Sequence, residues 1–185
     1  FEELPEFLKT YIAVENNFLS SELTAQVVND LTNWVKTYPR IGNLNGLIPS
    51  PFAVGVEMRR RNHFTRPYML FSAYYGNLFI GVRQAAEIDC LRFAIEQLPN
   101  SDDRAWALGA LVCAVSSCAY SYGGHFAQPK LDGTDAVRFS LLAPDMLVCR
   151  GLSVSHEFFV RLTSLGAESA QVAFNVETVA GPWEA

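Results

Sequence analysis

Residues 103–120 predict a long helix that is apolar on nearly every side, and this segment limits the possible folds most. Its apolar residues leave no polar face: Trp106, Leu108, Ala110, Leu111, Val112, Cys113, Ala114, Val115, Cys118 and Ala119. A helix of this kind lies at the centre of a domain and is covered on all sides. Ser101, just before it, is expected to cap its first turn.

The end of this helix is predicted from glycine and proline. Gly123 and Gly124 can adopt the left-handed backbone that ends a helix, and Pro129 prevents the helix from resuming. We therefore expect His125 and Gln128 to lie on a fixed turn beyond the helix end, a position that suits a functional site.

Other apolar patterns predict further helices and one extended segment. Apolar residues three and four apart predict helices over 4–12, 23–38, 82–98 and 153–165, and alternation over 171–179 predicts a strand. Ser153 is expected to cap the last helix. Residues 131–151 mix short apolar runs with glycine and proline and predict no clear element. The expected fold is mainly α, with at most a small strand component, in one helical domain over 1–185.

A long loop is predicted over residues 39–57, which are dense in turn-forming residues. It leads into the only concentrated positive charge of the chain, formed by Arg59, Arg60, Arg61 and Arg66 and interleaved with Asn62, His63, Phe64 and Thr65. Arginines mixed with polar and aromatic side chains are typical of a nucleic-acid contact. The alternative is a solvated basic turn that pairs with acidic residues elsewhere, and the residues alone leave both interpretations open.

Composition limits the possible functions. The chain is 50% apolar and only 18% charged, against about 25% in an average domain, so much of it must be buried or must cover a partner. A net charge of −5 argues against a free-standing nucleic-acid binder, so any DNA contact must come from a local patch. The longest apolar run, 105–115, is too short for the roughly 20 residues of a membrane span. Without a leader-like start, the expected location is the cytoplasm.

Several kinds of reactive site are disfavoured. The four cysteines are expected to be buried thiols, and Cys113 and Cys118 are five residues apart on a helix, on different faces, so a zinc site with His125 is not expected. No serine has a nucleophile-elbow pattern, which disfavours a hydrolase. No Gly-x-Gly occurs, which excludes the usual nucleotide-binding fingerprint.

Three segments together resemble the middle region of adenine-specific DNA methyltransferases. They are Tyr75-Gly76-Asn77-Leu78-Phe79, the Gln-Ala, Asp and Leu-Arg pattern of residues 84–95, and Gly124-His125-Phe126-Ala127-Gln128-Pro129 after the apolar helix. The final residues 181–185 also resemble the stretch shortly before the catalytic segment of that family. These enzymes transfer a methyl group from S-adenosylmethionine to adenine on a flipped-out base. The resemblance therefore implies the helical insert of an α/β methyltransferase, with S-adenosylmethionine as cofactor and DNA as partner.

The catalytic and cofactor motifs of that family are missing. No two prolines are adjacent, so the Pro-Pro motif is absent, and no glycine pair follows an aromatic residue near the amino terminus. The chain is expected to be an excerpt of a longer enzyme or a non-catalytic relative, and the lack of an initial methionine favours the excerpt. The remainder of the enzyme or a second subunit would then be a partner, in a restriction-modification context.

The resemblance and the local charge together assign roles to residues, all of them in DNA binding. Arg59, Arg60, Arg61 and Arg66 are expected on DNA phosphates, and His125, Gln128 and Lys130 beside DNA or the cofactor pocket. No catalytic residue and no metal ligand are assigned. The leading hypothesis is the helical, DNA-facing region of an adenine-specific DNA methyltransferase that is not catalytic alone. The alternative is a non-catalytic module for protein–protein or DNA interaction.

Overall fold

The fold is mainly helical, as the sequence predicts. The computed structural model describes residues 6–37, 51–121, 130 and 136–165. These residues form α1 (Glu6–Ser20), α2 (Ala25–Thr37), α3 (Pro51–Asn62), α4 (Leu70–Tyr74), α5 (Val82–Glu96), α6 (Ser101–Cys118), α7 (Ala136–Gly151) and α8 (Val154–Leu165), with a 3-10 turn at Pro67–Met69. No strand is found among these residues, in which an isolated bridge joins Gly76 and Ile80. No helix in the described part of the chain is long and apolar enough to cross a membrane.

The central helix is α5 rather than the apolar helix α6. Helix α5 packs against α1, α4, α6 and α8, and most of its residues are buried. Helix α6 packs mainly against α8 and α5, and it leaves Trp106 60% and Val112 65% exposed. The expectation that α6 is covered all round is therefore wrong for the described residues. Apolar composition shows which side chains favour burial, but the neighbouring elements decide which faces are covered.

Both ends of α6 differ from the prediction by a few residues. The cap is Asn100, whose side-chain oxygen accepts a hydrogen bond from the N–H of Asp102 at 2.8 Å, instead of Ser101. The helix ends at Cys118, and the following residue, Ala119, is extended. The N–H of Tyr120 then donates to the carbonyl of Phe79 at 2.6 Å, so the chain leaves the helix before it reaches the glycine pair. Residues 122–129 lie outside the described residues.

The predicted loop over 39–57 is wrong in its second part. Residues 51–57 form the first turns of α3, and 38–50 lie outside the described residues. Proline is well tolerated in the first turn of a helix, so Pro51 starts this helix instead of preventing it. Val56 is buried in a cluster with Leu8 and Val82, and this packing supplies stability that the local sequence lacks.

The remaining helices agree with the sequence to different degrees. The predicted 23–38 and 82–98 helices are confirmed as α2 and α5, and the helix predicted over 4–12 extends to Ser20. Helix α8 is confirmed with its cap, since the N–H of His156 donates to the Ser153 hydroxyl at 3.2 Å. Helix α7 was not predicted, because Pro144 lies inside it. The predicted strand over 171–179 lies outside the described residues.

Candidate nucleic-acid interface

The C-terminal end of α3 leads into a tight turn, and we call residues 60–66 the basic turn. Backbone hydrogen bonds fix its shape: the N–H of His63 donates to the carbonyl of Arg59 at 3.0 Å, and the N–H of Arg66 donates to that of Asn62 at 2.9 Å. Arginines in the last turn of a helix are favoured by the negative end of the helix dipole. The turn therefore has a defined conformation in which its side chains can be assigned to the inside or to the surface.

The structure corrects the assignment of Arg59 to DNA. This side chain is fully buried, with Nη2 3.3 Å from the Asp89 carboxylate and Nε donating to the Ser72 hydroxyl at 2.6 Å. Successive residues on a helix point about 100° apart, so three consecutive arginines cannot all share one face. Arg59 points into the core and presents no guanidinium to a phosphate.

The other three arginines are accessible to different extents. Arg61 is the most exposed, with 77% of its side chain accessible, and its Nε lies 3.2 Å from a Glu57 carboxylate oxygen. An exposed ion pair of this kind contributes at most about 1 kcal/mol and can exchange for a phosphate contact. Arg60 is half-buried and donates to the carbonyl of Ala73 at 2.9 Å, and Arg66 is half-buried as well.

Aromatic rings form a connected group on the basic turn. Phe64 is 87% exposed, and the centroid of its ring lies 3.9 Å from that of His63. His63 in turn makes an edge contact with Tyr74 at 5.0 Å, and the Arg60 guanidinium lies 5.1 Å from the centroid of the Tyr74 ring. The Nδ1 of His63 donates to the carbonyl of Arg60 at 2.6 Å, which holds the imidazole ring in place.

The remaining predicted site residues are not placed in the basic turn. His125 and Gln128 lie outside the described residues. Lys130 is half-buried, with its ammonium nitrogen 4.6 Å from the centroid of the Tyr120 ring. Tyr120 belongs to the apolar cluster that joins α2 to α7, whereas the basic turn begins in the last turn of α3. The assignments of His125, Gln128 and Lys130 to DNA stay predictions.

Polar residues of α5 hold the ends of neighbouring helices. The Gln84 amide nitrogen donates to the carbonyls of Cys149 and Leu152 at 2.8 and 2.9 Å, at the end of α7. A Glu87 carboxylate oxygen accepts the N–H of Ser155 at 3.0 Å, in the first turn of α8. These contacts satisfy backbone groups that a helix end leaves without an intrahelical partner. Gln84 and Glu87 thus have a structural role that accounts for their positions.

Asp89 does the same for α4 and also pairs with Arg59. Its two carboxylate oxygens accept the N–H groups of Phe71 and Ser72, each at 3.0 Å, and one accepts the Ser72 hydroxyl as well. Burial raises the pKa of Asp89, while the charge of Arg59 and the hydrogen bonds from Ser72 and Phe71 act in the opposite direction. Because Arg59 directly precedes the basic turn and α4 lies shortly after it, this buried ion pair helps to hold the turn against α5.

A pocket of about 360 Å³ lies between α4, α5 and α6. Its lining is Leu70, Phe71, Ile88, Arg92, Leu108, Leu111, Val112, Val115 and Ser116. The Arg92 guanidinium is 3.5 Å from the Glu96 carboxylate. S-adenosylmethionine carries a carboxylate, two cationic groups and ribose hydroxyls, which need polar partners when buried. The residues that line this pocket do not fit that cofactor.

The four cysteines differ in how far they are buried. Cys118 is buried as expected, Cys90 and Cys149 are half-buried, and Cys113 is exposed, so the expectation of a buried thiol is wrong for Cys113. Cys113 and Cys118 do lie on different faces of α6. Among the described residues, no group of three or more metal-binding side chains is found.

Thiol labelling is expected to distinguish Cys113 from the less accessible cysteines. Burial raises the pKa of Cys118 and of Cys90 to about 12, so almost none of either is the reactive thiolate near pH 8. We expect an aromatic disulfide reagent to label Cys113 first in the folded protein. The change Cys113→Ser should remove the fastest phase of the reaction. If that phase persists in the variant, Cys113 is not the accessible thiol.

The sequence places His63 and Phe64 in the cationic segment but assigns neither a role, and it does not link Asp89 or Tyr74 to that segment. His63 and Phe64 are part of the sequence motif, and an aromatic residue beside arginines in a turn before proline could have marked Phe64. Asp89 lies 30 positions from Arg59, and no local pattern signals that pairing. The contacts of Tyr74 with His63 and Arg60 likewise depend on how α3 and α4 pack.

Comparison with known proteins finds no family model, no curated protein and no solved structure that matches this chain.

Proposed function

We propose that this chain is the helical, DNA-facing region of an S-adenosylmethionine-dependent, adenine-specific DNA methyltransferase and is not catalytic alone. The resemblance of residues 75–79, 84–95 and 124–129 supports the family assignment. In this proposal S-adenosylmethionine supplies the methyl group and is bound by other residues, together with the Pro-Pro motif that this sequence lacks. The protein acts on DNA in the cytoplasm.

The basic turn is the observation that carries the proposal. In a chain of net charge −5, it holds Arg60, Arg61 and Arg66 together with an exposed aromatic ring on a backbone that hydrogen bonds keep in shape. Neutralisation of phosphates supplies most of the affinity in non-specific DNA binding. A local cationic surface can therefore bind DNA even on an acidic protein.

The geometry supports a positioning role for the turn. Guanidinium groups that contact phosphates set the register of a protein on DNA but carry no sequence information. The buried pair of Arg59 and Asp89 ties the turn to α5, so the phosphate contacts would be held rigidly relative to the helical body. Recognition of the target adenine and methyl transfer are assigned to other parts of the enzyme.

A double substitution at Arg61 and Arg66 tests the proposal. We expect Arg61→Ala with Arg66→Ala to weaken duplex binding and to reduce the slope of log K against log salt by about two, since each lost phosphate contact reduces it by about one. The measurement is fluorescence anisotropy with a labelled duplex between about 50 and about 200 mM salt.

A matched control removes the same charge elsewhere. Arg104 and Arg161 are exposed on α6 and α8, and the double change Arg104→Ala with Arg161→Ala alters the net charge by the same amount. We expect this control to leave the salt slope within about half a unit of the unaltered chain. Equal losses in both double variants, or no loss at Arg61 and Arg66, would contradict the proposal.

A second candidate function is a non-catalytic protein–protein interaction module. Val137, Leu141 and Val148 lie four and seven residues apart on α7 and are each at least 71% exposed. This spacing places them on one face of the helix, and an exposed apolar face of this kind often contacts another protein. If the arginine variants bind duplex DNA as well as the unaltered chain does, this candidate is favoured.

A further inference from the structure

Phe64 differs from the other exposed apolar residues of the described chain in its surroundings. It has the highest exposure of the large apolar residues there, at 87%, and its neighbours in sequence are polar or charged. Isolated apolar residues at a surface are common and need no explanation in themselves. Here, however, the side chain projects from a turn whose backbone is held by hydrogen bonds on both sides.

The ring of Phe64 is part of an aromatic surface and does not stand alone. The His63 ring lies 3.9 Å away between centroids, and His63 is itself held by the carbonyl of Arg60 and by contact with Tyr74. Such support reduces the conformational entropy that is lost when a ligand stacks on the ring. One face of a supported aromatic ring is therefore available at the surface.

The charges around this ring decide which partner fits it. In the sequence of the basic turn, Arg61 comes before Phe64 and Arg66 comes after it, so an arginine lies within three residues of Phe64 on each side. An apolar protein surface would have to desolvate these charges, which is costly. A nucleotide carries a planar base and an anionic phosphate, and proteins that bind single strands combine an aromatic ring for the base with cations for the backbone.

We infer that the Phe64 ring stacks on an unpaired nucleobase while Arg61 and Arg66 contact the adjoining phosphates. The inference rests on the proposed function, because it takes the same turn as the nucleic-acid contact. Bases inside a closed duplex are already stacked on each other, so a single strand or a locally opened duplex is the favoured partner. The basic turn then distinguishes opened from closed DNA without reading its sequence.

A comparison of single-stranded and duplex binding tests this role. Fluorescence anisotropy is measured with a labelled single-stranded oligonucleotide and with the duplex of the same sequence. We expect Phe64→Ala to weaken single-strand binding by about tenfold, within the range for loss of one base–aromatic stack. Duplex affinity should change less than about twofold, and the salt slope should not change, because the phosphate contacts remain.

Two further variants serve as controls. The change Phe64→Trp keeps a large aromatic face and should retain single-strand affinity within about twofold. The change Leu141→Ala removes a similarly exposed apolar side chain on α7 and should have no effect on either ligand. Both Phe64 and Leu141 are exposed, so these substitutions leave the core intact.

The outcomes separate this inference from the proposed function. Unchanged single-strand affinity in Phe64→Ala, or equal losses on single strand and duplex, would overturn the stacking role. If that happens while Arg61→Ala with Arg66→Ala still weakens duplex binding, only the stacking role fails. If the arginine variant also binds duplex as the unaltered chain does, both fail.

Discussion

Replacing Asp89 by asparagine is expected to lower the free energy of unfolding by about 3 to 5 kcal/mol, because it leaves the buried Arg59 guanidinium without a counter-charge. Both side chains are almost completely buried, and Nη2 of Arg59 lies 3.3 Å from a carboxylate oxygen of Asp89. The amide also keeps only one oxygen to accept hydrogen bonds, whereas the carboxylate uses both for the N–H groups of Phe71 and Ser72.

Urea denaturation, followed by circular dichroism, measures this loss. The control is Asp145→Asn, an exposed position on α7 where we expect a change within about 0.5 kcal/mol. The double variant Arg59→Met with Asp89→Asn should be more stable than Asp89→Asn alone, since it removes the uncompensated charge. The single variant Arg59→Met completes the comparison. A loss in the double variant equal to the sum of the losses in Asp89→Asn and Arg59→Met would show that the two side chains do not interact.

The second large effect is expected at Glu15. Replacing Glu15 by glutamine should lower the free energy of unfolding by about 3 kcal/mol or more. Glu15 is buried on α1, and its two carboxylate oxygens accept the N–H groups of Val82 and Arg83 at 3.0 and 2.8 Å, at the start of α5. It also pairs with the buried Arg150 of α7 at 3.4 Å. A glutamine keeps one acceptor and directs its NH₂ group at another donor, which leaves buried groups unsatisfied.

Gly81 allows the carboxylate to approach this closely. A Cβ atom at position 81 would lie 2.5 Å from a Glu15 oxygen, closer than atoms can pack.

The stability test for Glu15→Gln is again urea denaturation, with the exposed Glu22→Gln as its control. A Glu15→Gln variant within about 0.5 kcal/mol of the unaltered chain would mean that the carboxylate does not hold α1, α5 and α7 together.

Every helix that local periodicity predicts is present, but α3, α4 and α7 form without being predicted. In α2, α5 and α8 apolar residues recur three or four positions apart. The sequence alone therefore indicates each of these helices and its approximate ends. Helix α7 escaped prediction because proline usually ends a helix, yet Pro144 is exposed there while Phe139, Ala143 and Met146 on the other side are buried. Packing of that apolar face offsets the cost of the proline.

The sequence determined the mainly helical class and the location of the cationic segment, because helix periodicity and charge are properties of neighbouring residues. The packing of the helices places Arg59 against Asp89 and leaves Arg61 exposed, and it makes α5 rather than α6 the central helix. Burial and the pairing of buried charges depend on elements that meet from distant parts of the chain. For Arg59 and Asp89 that distance is 30 positions, and for Glu15 and Arg150 it is 135.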